Sequence, residues 1–127
     1  MSFEYVLDSS AWLEYLNGTE RGNKIKEIVE ERSTASSILA IAELADKFER
    51  DNLSFEKQLS FIQSRSAILP LTFDLCLAAA RIKKQFRKKA DKFSLADGVH
   101  FATAILEECT LITADNDFNG AKNVLLI

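Results

Sequence analysis

The chain has 127 residues, 47% of them apolar and 28% charged, enough for one buried core and too few for two. A net charge of −3 speaks against a protein that coats nucleic acid with its whole surface, and no apolar run reaches the roughly 18 residues of a membrane span. With no basic-then-apolar leader and no Gly/Ser/Pro-rich linker, the expectation is a single cytoplasmic domain over residues 1–127.

Residues 3–7 are aromatic and β-branched and run into Asp8-Ser9-Ser10, which favour turns and helix caps, so a strand followed by a helix is expected. Apolar residues three or four apart predict helices around 10–16, 20–32 and 37–50, with Thr19 and Ser37 as caps. Two more are expected near 54–66 and 72–89. Between them lies the apolar run 67–71, whose Pro70 suits only an edge or terminal position in a strand. The stretch 94–109 repeats apolar residues at Leu95, Val99, Ala102 and Leu106, with Phe101 and Ile105 widening the stripe, and reads as a mostly buried helix. A strand over Thr110–Thr113, a turn at 115–117 and a last strand over 123–127 complete the chain. Strands separated by helices give the α/β class: a mostly parallel sheet of four to five short strands with helices on both faces.

Most of the nineteen acids sit on polar helix faces, but a few do not. Asp8 ends the first strand and Asp115 a later one. In an open parallel sheet the carboxyl ends of strands border the ligand crevice, so both reach one edge if their strands are neighbours. Glu43 sits within the apolar Ile41-Ala42-Glu43-Leu44-Ala45, either at the polar margin of its helix or in a shared polar site. Asp97 closes a Ser94-x-x-Asp97 pattern that is also a capping box. Two carboxylates about 4 Å apart repel by about 4 kcal/mol at an effective dielectric near 20, so converging acids need protonation or a cation. All-oxygen ligands without Cys or His suit Mg²⁺ or Mn²⁺.

Four segments together resemble the PIN domain, and within it the VapC-type toxins. They are Val6-Leu7-Asp8-Ser9-Ser10-Ala11-Trp12, Ile41-Ala42-Glu43-Leu44, Leu95-Ala96-Asp97 with Phe101-Ala102-Thr103-Ala104, and Leu111-Ile112-Thr113-Ala114-Asp115-Asn116-Asp117-Phe118. The resemblance spans essentially the whole chain and implies a PIN-like three-layer fold. It implies an endoribonuclease in which Asp8, Glu43, Asp97 and Asp115 are catalytic acids. By the same resemblance Asp8, Glu43, Asp97 and Asp115 coordinate Mg²⁺ or Mn²⁺ directly or through water, with Asp117 as accessory, and Ser10 and Thr113 hydrogen-bond around them. It further implies a homodimer and a cognate antitoxin protein. Ser9 and Ala114 depart from the threonine and arginine often found there, and Gly98 weakens its helix turn by about 1 kcal/mol relative to alanine.

A housekeeping RNA-processing nuclease would share this fold and chemistry. A receiver-like binding domain would need a strand-end acid between residues 50 and 75, which is not evident, and a haloacid-dehalogenase-type phosphatase would need a second Asp where Ser10 stands. Seven of the sixteen basic residues crowd into 81–92, where Lys84, Arg87 and Lys88 are candidate RNA contacts. Trp12 and the phenylalanines at 48, 55, 61, 73, 86, 93 and 101 are expected in the core or a dimer contact. His100 is expected at a polar helix margin, and Cys76 and Cys109 as packed, reduced thiols.

Overall fold

The computed structural model describes residues 2–127. Five strands, β1 (Tyr5–Leu7), β2 (Thr34–Ser37), β3 (Ser66–Leu69), β4 (Thr110–Thr113) and β5 (Val124–Leu126), form one parallel sheet in the order β3-β2-β1-β4-β5. The helices are α1 (Ser9–Leu16), α2 (Glu20–Asn23), α3 (Lys26–Glu31), α4 (Ile38–Arg50), α5 (Glu56–Arg65), α6 (Phe73–Phe86) and α7 (Leu95–Leu106), with a 3-10 turn over Asn116–Phe118. The α/β class is as expected, and no helix is long and apolar enough to cross a membrane.

Side chains alternate across a strand, which is why the sheet divides two cores. Leu7 and Ile112 face one, with Trp12, Ile25, Val29, Leu44 and Ile62 of α1, α3, α4, α5 and their connections. Val6 and Leu111 face the other, beneath Phe93, Ala104 and Phe118, with Phe86 of α6 packed alongside. The sequence patterning placed four strands and missed β2. Its residues Thr-Ala-Ser-Ser lack the aromatic and apolar β-branched signal, yet all four are buried. Their hydroxyls have work there: Ser36 accepts from the Trp12 indole at 2.8 Å and donates to the Leu7 carbonyl at 2.8 Å. Burial of such a strand is tolerated because its polar groups are paired.

Pro70 directly follows β3, an edge strand, as its missing N–H requires. The helix expected over 20–32 breaks at Lys24 and Ile25, where the turn carries Ile25 into the core. On α7 the buried face is Gly98, Val99, His100, Ala102, Thr103 and Ala104, while Leu95 and Leu106 of the expected stripe stay half-exposed. Small residues win that face because α6 comes close. A Cβ on Gly98 would lie 2.6 Å from the Ala79 carbonyl oxygen. One other expectation fails, since Cys76 is exposed, although Cys109 is buried; Phe73 keeps 89% of its exposure, which removes it from the core and leaves the dimer contact.

Candidate active site

Asp8 caps α1, and the register of the sheet sets its surroundings. β1 and β4 are neighbours, Leu7 pairs with Ile112, and the Asp8 N–H reaches the Ile112 carbonyl at 3.2 Å. Asp8 therefore leaves the sheet beside Thr113, with Asp115 two residues beyond. The Ala11 N–H and the Ser10 hydroxyl both donate to Asp8 Oδ1, at 2.9 and 2.7 Å. Ser10 in turn accepts the Ala114 N–H at 2.9 Å and lies 3.3 Å from the Thr113 hydroxyl, which accepts the Asp115 N–H at 3.0 Å. Ser10 and Thr113 thus lace the ends of two strands together around the acids.

Asp97 arrives from the start of α7. The capping box with Ser94 is complete: Asp97 N–H to Ser94 Oγ at 3.0 Å, and Ser94 N–H to Asp97 Oδ2 at 2.9 Å. Cap and cluster are compatible, since carboxyl oxygens of Asp97, Asp115 and Asp117 also lie within 4.8 Å of one another. Asp115 holds its own loop by accepting the Asp117 N–H at 2.9 Å.

Glu43, on α4, reaches the group through two hydrogen bonds to one oxygen. Ser9 Oγ donates to Oε1 at 3.1 Å, and His100 Nε2 lies 2.6 Å from the same atom. His100 is buried, not at a polar margin as the sequence suggested. A single histidine among apolar neighbours carries no helical signature that tells a margin from a core; its partner, 57 residues away, was the missing information.

Burial pushes the Asp8 carboxyl up, only partly offset by His100 and by the hydroxyls of Thr113 and Ser10. Asp97 is also raised, by burial and by the charge of Asp115, against the Ser94 hydrogen bonds. Burial alone would raise Glu43 too, but the hydrogen bonds from His100 and Ser9 and the His100 charge outweigh it and hold Glu43 below its ordinary value. None of Asp8, Asp97, Asp115 and Asp117 forms a salt bridge among the described residues. Half-buried carboxylates that converge without a salt-bridge partner, as Asp97, Asp115 and Asp117 do, have the all-oxygen chemistry that suits a hard divalent ion.

The basic stretch divides. Arg81, Lys84 and Lys88 border one depression; Arg87 ends α6 through its backbone N–H, and its guanidinium donates to the Phe93 carbonyl beyond the helix. Lys89 lines a different hollow that runs to Asp117 and Gly120. On the opposite side, Lys47 and Arg50 line a groove shared with Ser9, Ser10 and Glu43. Sequence reasoning passed over Lys47 and Arg50, whereas Lys89 lies within the basic stretch 81–92 that it did mark. Helical spacing places Lys47 one turn from Glu43, a signal that was available.

The model of the PIN domain family matches residues 5–123. No curated protein sequence matches the chain. Among solved structures, a toxin–antitoxin complex from Klebsiella pneumoniae is 19% identical with a TM-score of 0.77, covering 96% of each chain. VapBC2 from Rickettsia felis, bound to a DNA fragment from its promoter, is 20% identical with a TM-score of 0.71, covering 97% of this chain and 96% of that one. VapC20 from Mycobacterium tuberculosis, a toxin that cleaves the sarcin-ricin loop, is 17% identical with a TM-score of 0.70, covering 94% and 95%.

Proposed function

Because the chain belongs to the PIN domain family, we propose that it is a divalent-metal-dependent endoribonuclease and the toxin half of a toxin–antitoxin pair. The observation that carries this reading is the convergence of Asp97, from the start of α7, with Asp115 and Asp117, from the loop after β4, at the carboxyl edge of the sheet, none of the three in a salt bridge among the described residues. Asp97, Asp115 and Asp117, with Asp8, would hold Mg²⁺ or Mn²⁺, and Glu43 would reach the ion through a bound water. Such an ion lowers the pKa of a bound water and neutralises charge on phosphodiester oxygens. Asp8 is fixed for its role by Ser10 and the Ala11 N–H, and Asp97 by its capping box. Glu43, kept ionised by its two donors, can accept a proton from the attacking water and orient it. No protein nucleophile is needed.

Lys47, Arg50 and Lys89, on depressions that reach the acids, supply positive charge for RNA phosphates. Lys84 and Lys88 extend that charge along the end of α6 and just past it; the Arg87 guanidinium is partly engaged with the Phe93 carbonyl. The antitoxin partner rests on the likeness to toxin–antitoxin complexes. Homodimer formation is supported by the exposed Phe73 and Leu77, one helical turn apart on α6.

Induced expression tests the toxin reading. The wild-type chain is expected to arrest growth with accumulation of cut RNA, and Asp115→Asn to leave growth unaffected. Equal arrest by the variant would contradict toxicity through this site.

A further inference from the structure

Oε1 of Glu43 is held from two sides. Ser9, at the start of α1, donates to it at 3.1 Å, and His100, on the buried face of α7, lies 2.6 Å away. A carboxylate can only accept, so Nε2 carries the hydrogen. The imidazole keeps 1% of its exposure, and its Nδ1 is buried with no partner among the described residues. Glu43 itself is partly open: its side chain keeps 37% of its exposure, and no protein group among the described residues bonds Oε2. One oxygen is therefore tied down by the fold and the other is left to accept from a water.

We propose that His100 is a positioning residue, its buried imidazole fixing the Glu43 carboxylate at the reaction centre through the Oε1 hydrogen bond. The inference rests on the ribonuclease reading but concerns a residue that need not touch substrate or ion. A glutamate side chain has three rotatable torsions. With Ser9 and His100 both engaged, it is presented in one arrangement before substrate arrives, and the fixed oxygen determines where the free one points. His100 is also the link between two helices that each contribute an acid. Asp97 lies one turn earlier on α7, and Glu43 is on α4, so the His100–Glu43 hydrogen bond joins the two helices that carry them.

The test is a double-mutant cycle over His100→Leu and Glu43→Gln, read by RNA cleavage rate and by Mn²⁺ affinity from calorimetry. His100→Gln is the rescue variant, since its amide can donate to Oε1, and thermal melting checks that every variant is folded. His100→Leu is expected to lose about 10- to 100-fold in cleavage or Mn²⁺ affinity, the usual cost of removing a group that orients a ligand. His100→Gln should recover most of it, and His100→Leu should cost nothing further once Glu43 is already glutamine. Additive losses, no loss in either readout, or no recovery in a folded His100→Gln would overturn the proposal. If the wild-type chain cuts no RNA, the ribonuclease reading fails, and the Mn²⁺ cycle still decides whether His100 acts through Glu43.

Discussion

Burying a carboxylate away from protein cations costs free energy at neutral pH, and Asp8 keeps only 3% of its exposure. Its raised pKa has a defined sign for stability. The folded chain binds the proton more tightly than the unfolded one, so this contribution is fullest below the ordinary value of 3.8 and is lost as pH rises through the folded value. Asp97 acts in the same direction. Glu43 acts in the opposite one: its lowered pKa gives stability above its ordinary value of 4.5 that is lost as pH falls through the folded value. Metal-free Asp8→Asn is therefore expected to melt above wild type at pH 7, with the gap closing as pH falls below 3.8. Melting curves across pH in EDTA check this; a lower midpoint for the variant at pH 7 contradicts it. Saturating Mn²⁺ should raise the wild-type midpoint and leave Asp97→Asn nearly unmoved. At this scale the sequence was legible where a residue ended a strand, as Asp8 and Asp115 do. It was silent on His100, whose role depends on a partner far along the chain.

Elements explain why the acids converge. Asp8 and Asp115 follow adjacent parallel strands, while Asp97 sits in the first turn of α7 and Glu43 in the second turn of α4, the helix that leaves β2 at that same edge. The approach of α7 to α6 depends on Gly98, read from the sequence as a weak helix turn. The close packing makes it a requirement: Gly98→Ala would press a methyl onto the Ala79 carbonyl, costing about 1 to 3 kcal/mol in urea unfolding. An unchanged urea midpoint would show that the helices can separate freely. Ser36→Ala should cost about 1 to 3 kcal/mol by stranding the buried Trp12 N–H. β2 was hidden for the same reason that this serine matters. A strand whose side chains are small and hydroxylated is stabilised by tertiary hydrogen bonds, and hydropathy patterning does not register those. The longer helices were legible because α4 and α6 carry both a capping residue and an apolar stripe.

For the whole molecule, strands alternating with helices indicated the α/β class, and the order of four acidic motifs indicated the family that the matched residues 5–123 bear out. Surface apolar residues were less legible. Phe73 and Leu77 follow a core-like spacing, yet both remain exposed on α6. If this surface pairs two copies, Leu77→Glu should convert a dimer to a monomer in sedimentation, whereas a wild-type monomer would contradict the homodimer.

The central claim is that the acids at the sheet edge make a metal-dependent ribonuclease. Its most direct test is cleavage of a panel of structured and single-stranded RNAs by the purified chain with Mg²⁺, Mn²⁺ or EDTA, beside Asp8→Asn prepared identically. Cutting that requires the ion and disappears in the folded variant is the expected result. Cutting that persists in EDTA or in Asp8→Asn, or no cutting of any RNA with either ion, would contradict it.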